Sequence, residues 1–194
     1  MIIGLTGGIG SGKTTVAKLF ETLGCAIYNS DERAKGLYFE PVIKQSIIHL
    51  LGNEAYLNDK EINRNYISKK IFADSNLLYQ LNNIIHPAVK DDFINFQNRF
   101  PSEKLIIKES ALLFEAEIYK ELEYTILVTA PLEVKIERVM KRNSVLKEDV
   151  EKRMLTQWPD EQKIPLANFI IANDGRTALI PQVISIIEQL KANA

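Results

Sequence analysis

The sequence predicts an α/β fold in which a five-stranded parallel sheet lies between helical layers. Three observations carry that reading. Short apolar segments recur along the chain without alternating with polar residues, the pattern of strands buried on both faces. Amphipathic helical segments separate these strands from end to end. The first strand also runs into a turn of extreme glycine density. Of nine glycines, five (Gly4, Gly7, Gly8, Gly10 and Gly12) fall within the first twelve residues. Glycine costs backbone entropy in regular elements, so this clustering marks unusual backbone angles or a close approach.

Each element follows from local pattern. Met1–Thr6 reads as a short buried strand, and Thr14–Leu23 as a helix stopped by Gly24. Residues 25–28 form a second strand, closed by a polar turn at Asn29-Ser30-Asp31. Residues 41–52 carry Val42, Ile43, Ile47, Ile48 and Leu51 at helical spacing. Residues 53–66 read as a loop with a helix restarting near 61. Leu77, Leu78, Leu81, Ile84 and Ile85 continue an amphipathic stretch that His86-Pro87 is expected to interrupt. Pro87 would open a new helix with a stripe of Val89, Phe93, Phe96 and Phe100. Tyr38, Phe39, Tyr66 and Phe72 are expected mostly in the core. Residues 105–107 make the third strand, ending at Lys108-Glu109-Ser110, and the β-branched 124–129 the fourth. Helices are expected over 132–142 and 147–158, a fifth strand over 169–171, and a final helix through Ile180, Val183, Ile184, Ile187 and Leu190.

Composition narrows the function class. The 24 Lys+Arg and 25 Asp+Glu give a net charge of -1 and a pI near 6.2, which argues against nucleic acid as a partner. Hydrophobic residues make up 46%, enough for a core. Cys25, the single cysteine, forms neither an internal disulfide nor a cysteine metal cluster. No apolar run approaches the roughly 18 residues of a membrane span. The opening Met1–Gly8 lacks the charged and apolar regions of a secretion signal, so a cytoplasmic protein without a membrane partner is expected. Oligomeric state is open at this level.

Residues 7–14, Gly-Gly-Ile-Gly-Ser-Gly-Lys-Thr, match G-x-x-x-x-G-K-[ST], with a strand before and a helix after. Such a loop turns its backbone N–H groups inward around a polyphosphate, and the helix N-terminus adds partial positive charge. Gly8, Ile9, Gly10, Ser11, Gly12, Lys13, Thr14 and Thr15 are therefore the candidate ATP-binding residues. Lys13 can reach the β- and γ-phosphates, and the Thr14 hydroxyl can ligate Mg²⁺. A dinucleotide site would need G-x-G-x-x-G; Gly8, Gly10 and Gly12 give G-x-G-x-G instead. The guanine-reading N-K-x-D, the switch D-x-x-G and the transporter S-G-G-Q are all absent. A small phosphoryl-transfer enzyme of the P-loop NTPase type, with a three-layer sandwich, remains.

Such an enzyme needs a carboxylate for the acceptor hydroxyl. Asp31, just past strand two, is the candidate; its alternative is to cap a helix beginning near Glu32. Glu109 either holds Mg²⁺ or is simply solvated. Lys135, Arg138 and Arg142 share one helical face, with Lys141 beside them, and Arg153 follows; these cations either offset charge on the transferring phosphoryl from a closing lid or form a solvated face. Arg138 and Arg142 join Lys13 and Asp31 as catalytic candidates. His86 is either structural or a ligand.

These residues resemble the dephospho-coenzyme A kinase family, nearly from end to end. Residues 3–16, with the run Thr6-Gly7-Gly8-Ile9-Gly10-Ser11-Gly12-Lys13, are similar to its opening. Leu81–Val89 resembles its histidine-proline segment, Leu112-Leu113-Phe114-Glu115 the segment after strand three, and Arg138, Arg142, Arg153 and Gln157 its lid. Asn173-Asp174-Gly175 resembles the turn near the adenine. The resemblance implies transfer of the ATP γ-phosphoryl to the ribose 3′-hydroxyl of dephospho-coenzyme A, with Asp31 as base. It also implies ATP contacts at Asn173 and Gly175, and acceptor contacts at Asp31, His86, Leu112, Phe114 and Glu115. A nucleoside or nucleotide kinase and a slowly hydrolysing regulatory protein are the alternatives. The chain departs from the family at Asn29, which replaces the first aspartate of Asp-Ala-Asp, and at Ser30, Ala111 and Asn168. One P-loop kinase chain is expected: a nucleotide-binding core of 1–32, 104–132 and 161–194, a helical acceptor-binding insertion at 33–103, and a lid at 133–160.

Overall fold

The structure is a computed structural model that describes residues 1–101 and 104–193. In chain order its elements are β1 (Ile2–Thr6), α1 (Lys13–Thr22), β2 (Ala26–Asn29), α2 (Ser30–Leu37), α3 (Pro41–Leu51), β3 (Tyr56–Asn58), β4 (Glu61–Ile62), α4 (Arg64–Ala73) and α5 (Ser75–Gln97). Then follow β5 (Ile106–Glu109), β6 (Tyr124–Thr129), α6 (Leu132–Asn143), α7 (Lys147–Met154), α8 (Asp160–Lys163), β7 (Phe169–Ala172) and α9 (Leu179–Ala192). The chain divides into two compact units. Met1–Asn29 with Pro101–Ala194 forms one, and Ser30–Phe100 the other. The insertion's expected end at 103 lies outside the described residues.

In the first unit a five-stranded sheet has the order β2-β5-β1-β6-β7, with every pairing parallel. One face of the sheet (Ile3, Leu5, Ile107, Ile126, Val128, Ile171) packs on Val16, Ala17 and Phe20 of α1 and on Val183, Ile186, Ile187 and Leu190 of α9. Full burial of a side chain such as Phe20 contributes roughly 1.5–3 kcal/mol. Leu127 turns to the other face and packs on Leu113 and Phe114. Gly4 lies on that side too: a Cβ there would come within 2.6 Å of Leu122 and 2.7 Å of Leu113. Cys25 is buried, and burial pushes its thiol pKa up, so it is no ready nucleophile. α7 stops at Met154, short of the expected 158, where the N–H groups of Thr156 and Gln157 bond three residues back, to Arg153 O and Met154 O, instead of four.

In the second unit, α2, α3 and α4 pack against α5. Ile47, Leu51, Ala55, Ile67, Leu81 and Ile85 form its core. Four expectations fail here. Residues 53–66 hold a small antiparallel hairpin, β3 with β4, rather than a plain loop. The Asn29–Asp31 turn is absent, because α2 begins at Ser30 directly after β2. Pro87 does not break the helix; α5 is continuous around it. Proline costs an interior helix about 3 kcal/mol, but the apolar stripe runs unbroken from Leu77 and Leu81 through Ile85 to Val89, and burying it holds both halves in one helix. Phe72 is 86% exposed, not core, since α4 turns Ile67 inward. Among the described residues no helix is long and apolar enough to cross a membrane.

Candidate active site

The phosphate loop leaves the carboxyl end of β1, the central strand, and opens α1. Ser11 N–H donates to Gly8 O at 3.0 Å, and the N–H groups of Thr15 and Val16 donate to Gly12 O at 3.0 and 3.1 Å. Gly12 sits at φ 90°, ψ 25°, left-handed backbone that a side chain resists. A Cβ there would also stand 2.2 Å from Nδ2 of Asn173, and one on Gly10 (φ 82°) would stand 2.3 Å from the Lys135 carbonyl. Gly12→Ala is expected to add strain on the order of 1–3 kcal/mol at the loop. Titration calorimetry should find nucleotide affinity reduced about tenfold or more; an affinity equal to the parent would remove this loop from the binding site.

Three side-chain groups surround the loop. Lys13 Nζ donates to Gly7 O at 2.8 Å, so its charge lies over the loop. Thr14 Oγ1 donates to Glu109 Oε1 at 3.0 Å, and Asn29 Nδ2 donates to Glu109 Oε2 at 2.9 Å. Parallel pairing sets this cluster: β5 lies between β1 and β2, with Asn29 and Glu109 in register. Glu109 is 4% exposed, so it is not a solvated carboxylate. The third group is built on Asn173, which donates to Ser11 O at 2.7 Å and accepts from Arg138 Nη2 at 3.2 Å. Arg138 Nη1 is buried beside Gly12 and makes no hydrogen bond. An orphaned buried guanidinium donor next to a ring of amides is suited to an anion.

The segment from α6 to α8 adds contacts that the sequence did not reveal. Gln157 Oε1 accepts from Ile9 N–H at 2.8 Å, and its Nε2 donates to Ala111 O at 3.3 Å. Lys135 pairs with Asp160 at 2.5 Å, next to Gly8. These groups line a cavity of about 620 Å³ with Ile9 and Trp158. The expected cationic face of α6 therefore divides: Lys135 and Arg138 turn to the loop, whereas Arg142 is exposed and donates to Asn143. Arg153 is exposed as well. Glu115 pairs with the fully buried Lys163 at 2.7 Å and accepts from Trp158 N–H at 2.9 Å. Phe114 is fully buried and Leu112 is 43% exposed, so of these two only Leu112 presents surface. Gly175 (φ 83°) lies in an exposed turn shaped by Asp174, whose carboxylate accepts from the N–H groups of Thr177 and Arg176. Those bonds hold its pKa below the usual carboxylate range.

In the second unit, Asp31 is exposed in the first turn of α2; the helix starts before it, so it does not cap it. Arg33 of the same helix forms a two-pronged ion pair with Asp92 of α5. His86 is exposed on α5. Asp160 and the Asn29–Glu109 pairing had no local signal. Their partners lie 25 and 80 residues away and meet only through the fold.

The model of the Dephospho-CoA kinase family matches residues 1–178. The chain belongs to the dephospho-CoA kinase family. The dephospho-CoA kinase of Bacteroides fragilis is 38% identical over 186 residues, covering 95% of this chain and 90% of that one. The crystal structure of TT1252 from Thermus thermophilus superimposes with a TM-score of 0.86 at 29% identity, covering 100% of this chain and 97% of that one. The dephospho-CoA kinase from Campylobacter jejuni shares the fold at a TM-score of 0.70 and 22% identity, covering 99% and 98%. The activity of this kinase family is ATP-dependent phosphorylation of dephospho-coenzyme A to coenzyme A, and the P-loop kinase fold described above is built for it. The nucleoside kinase and regulatory readings lose their ground.

Proposed function

We propose that the chain transfers the ATP γ-phosphoryl to the ribose 3′-hydroxyl of dephospho-coenzyme A by in-line displacement. The 3′-oxygen forms a bond to phosphorus, the bond to the β,γ-bridging oxygen breaks, and the hydroxyl proton passes to the Asp31 carboxylate. Loop amides from Gly8 to Thr15 and the N-terminus of α1 hold the polyphosphate. Lys13 and Arg138 neutralise charge that moves onto the leaving ADP, and Arg142 joins them from the lid. Asn173 braces Ser11 and Arg138, and with Gly175 flanks the adenine. The observation that carries this reading is the buried, unbonded Nη1 of Arg138 beside Gly12, a donor that a phosphate oxygen would satisfy.

Thr14 Oγ1 and Glu109 Oε1, 3.0 Å apart, are hard oxygen donors of the kind Mg²⁺ takes alongside nucleotide phosphates and water. When bound, the ion supplies charge neutralisation at the β- and γ-phosphates. His86 and Leu112 contact the acceptor, while Phe114 and Glu115, held in the core and by Lys163, fix the segment that carries Leu112. The cytoplasm, where ATP is made and used, is the expected compartment.

An ADP-release assay with a panel of acceptors tests the reading. Turnover is expected with dephospho-coenzyme A and none with shikimate, adenosine or AMP. Equal ADP release with no acceptor present would contradict it.

A further inference from the structure

The cluster at the carboxyl ends of β2 and β5 sets the Glu109 carboxylate against a neutral amide. Asn29 and Glu109 are register partners, their side chains meet at 2.9 Å, and Glu109 is buried. The two oxygens of Glu109 are differently engaged, Oε2 by the Asn29 amide and Oε1 by the Thr14 hydroxyl. An amide N–H fixes the rotation of the carboxylate without adding charge. An aspartate here would set two anions against each other within hydrogen-bond distance, an arrangement that attracts a divalent cation. Among the described residues no group of three or more His, Cys, Asp or Glu is placed to hold a metal ion.

We propose that Asn29 is a positioning residue with two effects. Its amide locks Glu109 so that Oε1 stays directed at Thr14. Its neutrality keeps the cluster from retaining a divalent cation on its own. This rests on the assignment of Thr14 and Glu109 to the metal side of the nucleotide.

The test uses Asn29→Ala, Asn29→Asp and Thr14→Ala in the full chain, with thermal unfolding midpoints to establish folding. Second-layer partners of metal ligands typically set affinity by about 10–100-fold. Asn29→Ala is expected to raise the Mg²⁺ concentration for half-maximal turnover at saturating ATP about tenfold, with the KM for dephospho-coenzyme A within about twofold of the parent. Asn29→Asp is expected to bind Mn²⁺ without nucleotide about tenfold or more tighter than the parent, read by electron paramagnetic resonance. Should the alanine variant fail to fold, the isosteric aspartate carries the Mn²⁺ measurement alone. Parental Mg²⁺ and Mn²⁺ behaviour in both Asn29 variants, with Thr14→Ala raising the Mg²⁺ requirement, overturns the proposal and leaves the metal assignment standing. Parental behaviour in Thr14→Ala too overturns both.

Discussion

Replacing Lys13 with alanine is expected to lower kcat/KM for phosphoryl transfer by about 10²–10⁴, a loss of roughly 3–5 kcal/mol of transition-state stabilisation. The ammonium lies over the loop, 2.8 Å from the Gly7 carbonyl, at the first residue of α1. There it adds a full positive charge to the partial charge of the helix N-terminus. The terminal phosphoryl gains most from it as charge moves onto ADP, so the loss should fall mainly on kcat, with a smaller rise in the KM for ATP. Lys13→Arg should not restore the rate, because a planar fork does not replace a compact charge inside a tight loop. Steady-state rates with varied ATP check this, and turnover near the parent's would remove Lys13 from the mechanism.

The second large effect is expected at Asp31. Asp31→Asn preserves shape and removes the base, and transfer should fall by about 10²–10⁴. ATP affinity, measured by calorimetry, should stay within about twofold, because the proposed nucleotide contacts come from the phosphate loop with Asn173 and Arg138 and not from Asp31. Asp31→Asn keeps the side chain's shape in the first turn of α2, so the mutant should still unfold cooperatively, which a thermal melt checks. A mutant that phosphorylates at the parental rate would leave Asp31 a surface acid only.

The sheet was legible because its strands are short, β-branched and buried on both faces, a pattern with few competitors over 124–129 or 1–6. The phosphate loop was legible because its left-handed backbone at Gly10 and Gly12 favours glycine, and the lysine and threonine follow at fixed spacing. Pro87 misled because the local rule for proline is strong, while the stripe from Leu77 to Val89 that overrides it acts only once α3 and α4 are packed on α5. The hairpin of β3 and β4 escaped notice because strands of three and two residues carry too little alternation to register. At the site, the residues on the loop could be named in advance, but their supports could not. Glu109 reaches Thr14 only because β5 pairs beside β1. Asn173 reaches Ser11 across 162 positions, and Asp160 at the start of α8 meets Lys135 of α6. Such contacts are products of topology, and nothing in the spacing of residues announces them.

The proposed chemistry needs an amide-lined loop that directs the end of a nucleotide at an alcohol. Phosphorus NMR of the products formed from ATP and dephospho-coenzyme A tests this most directly. The expected result is a new phosphomonoester resonance from phosphate on the ribose 3′-oxygen, growing in equal amount with ADP. Inorganic phosphate growing instead, or a phosphoester on any other hydroxyl, would contradict it.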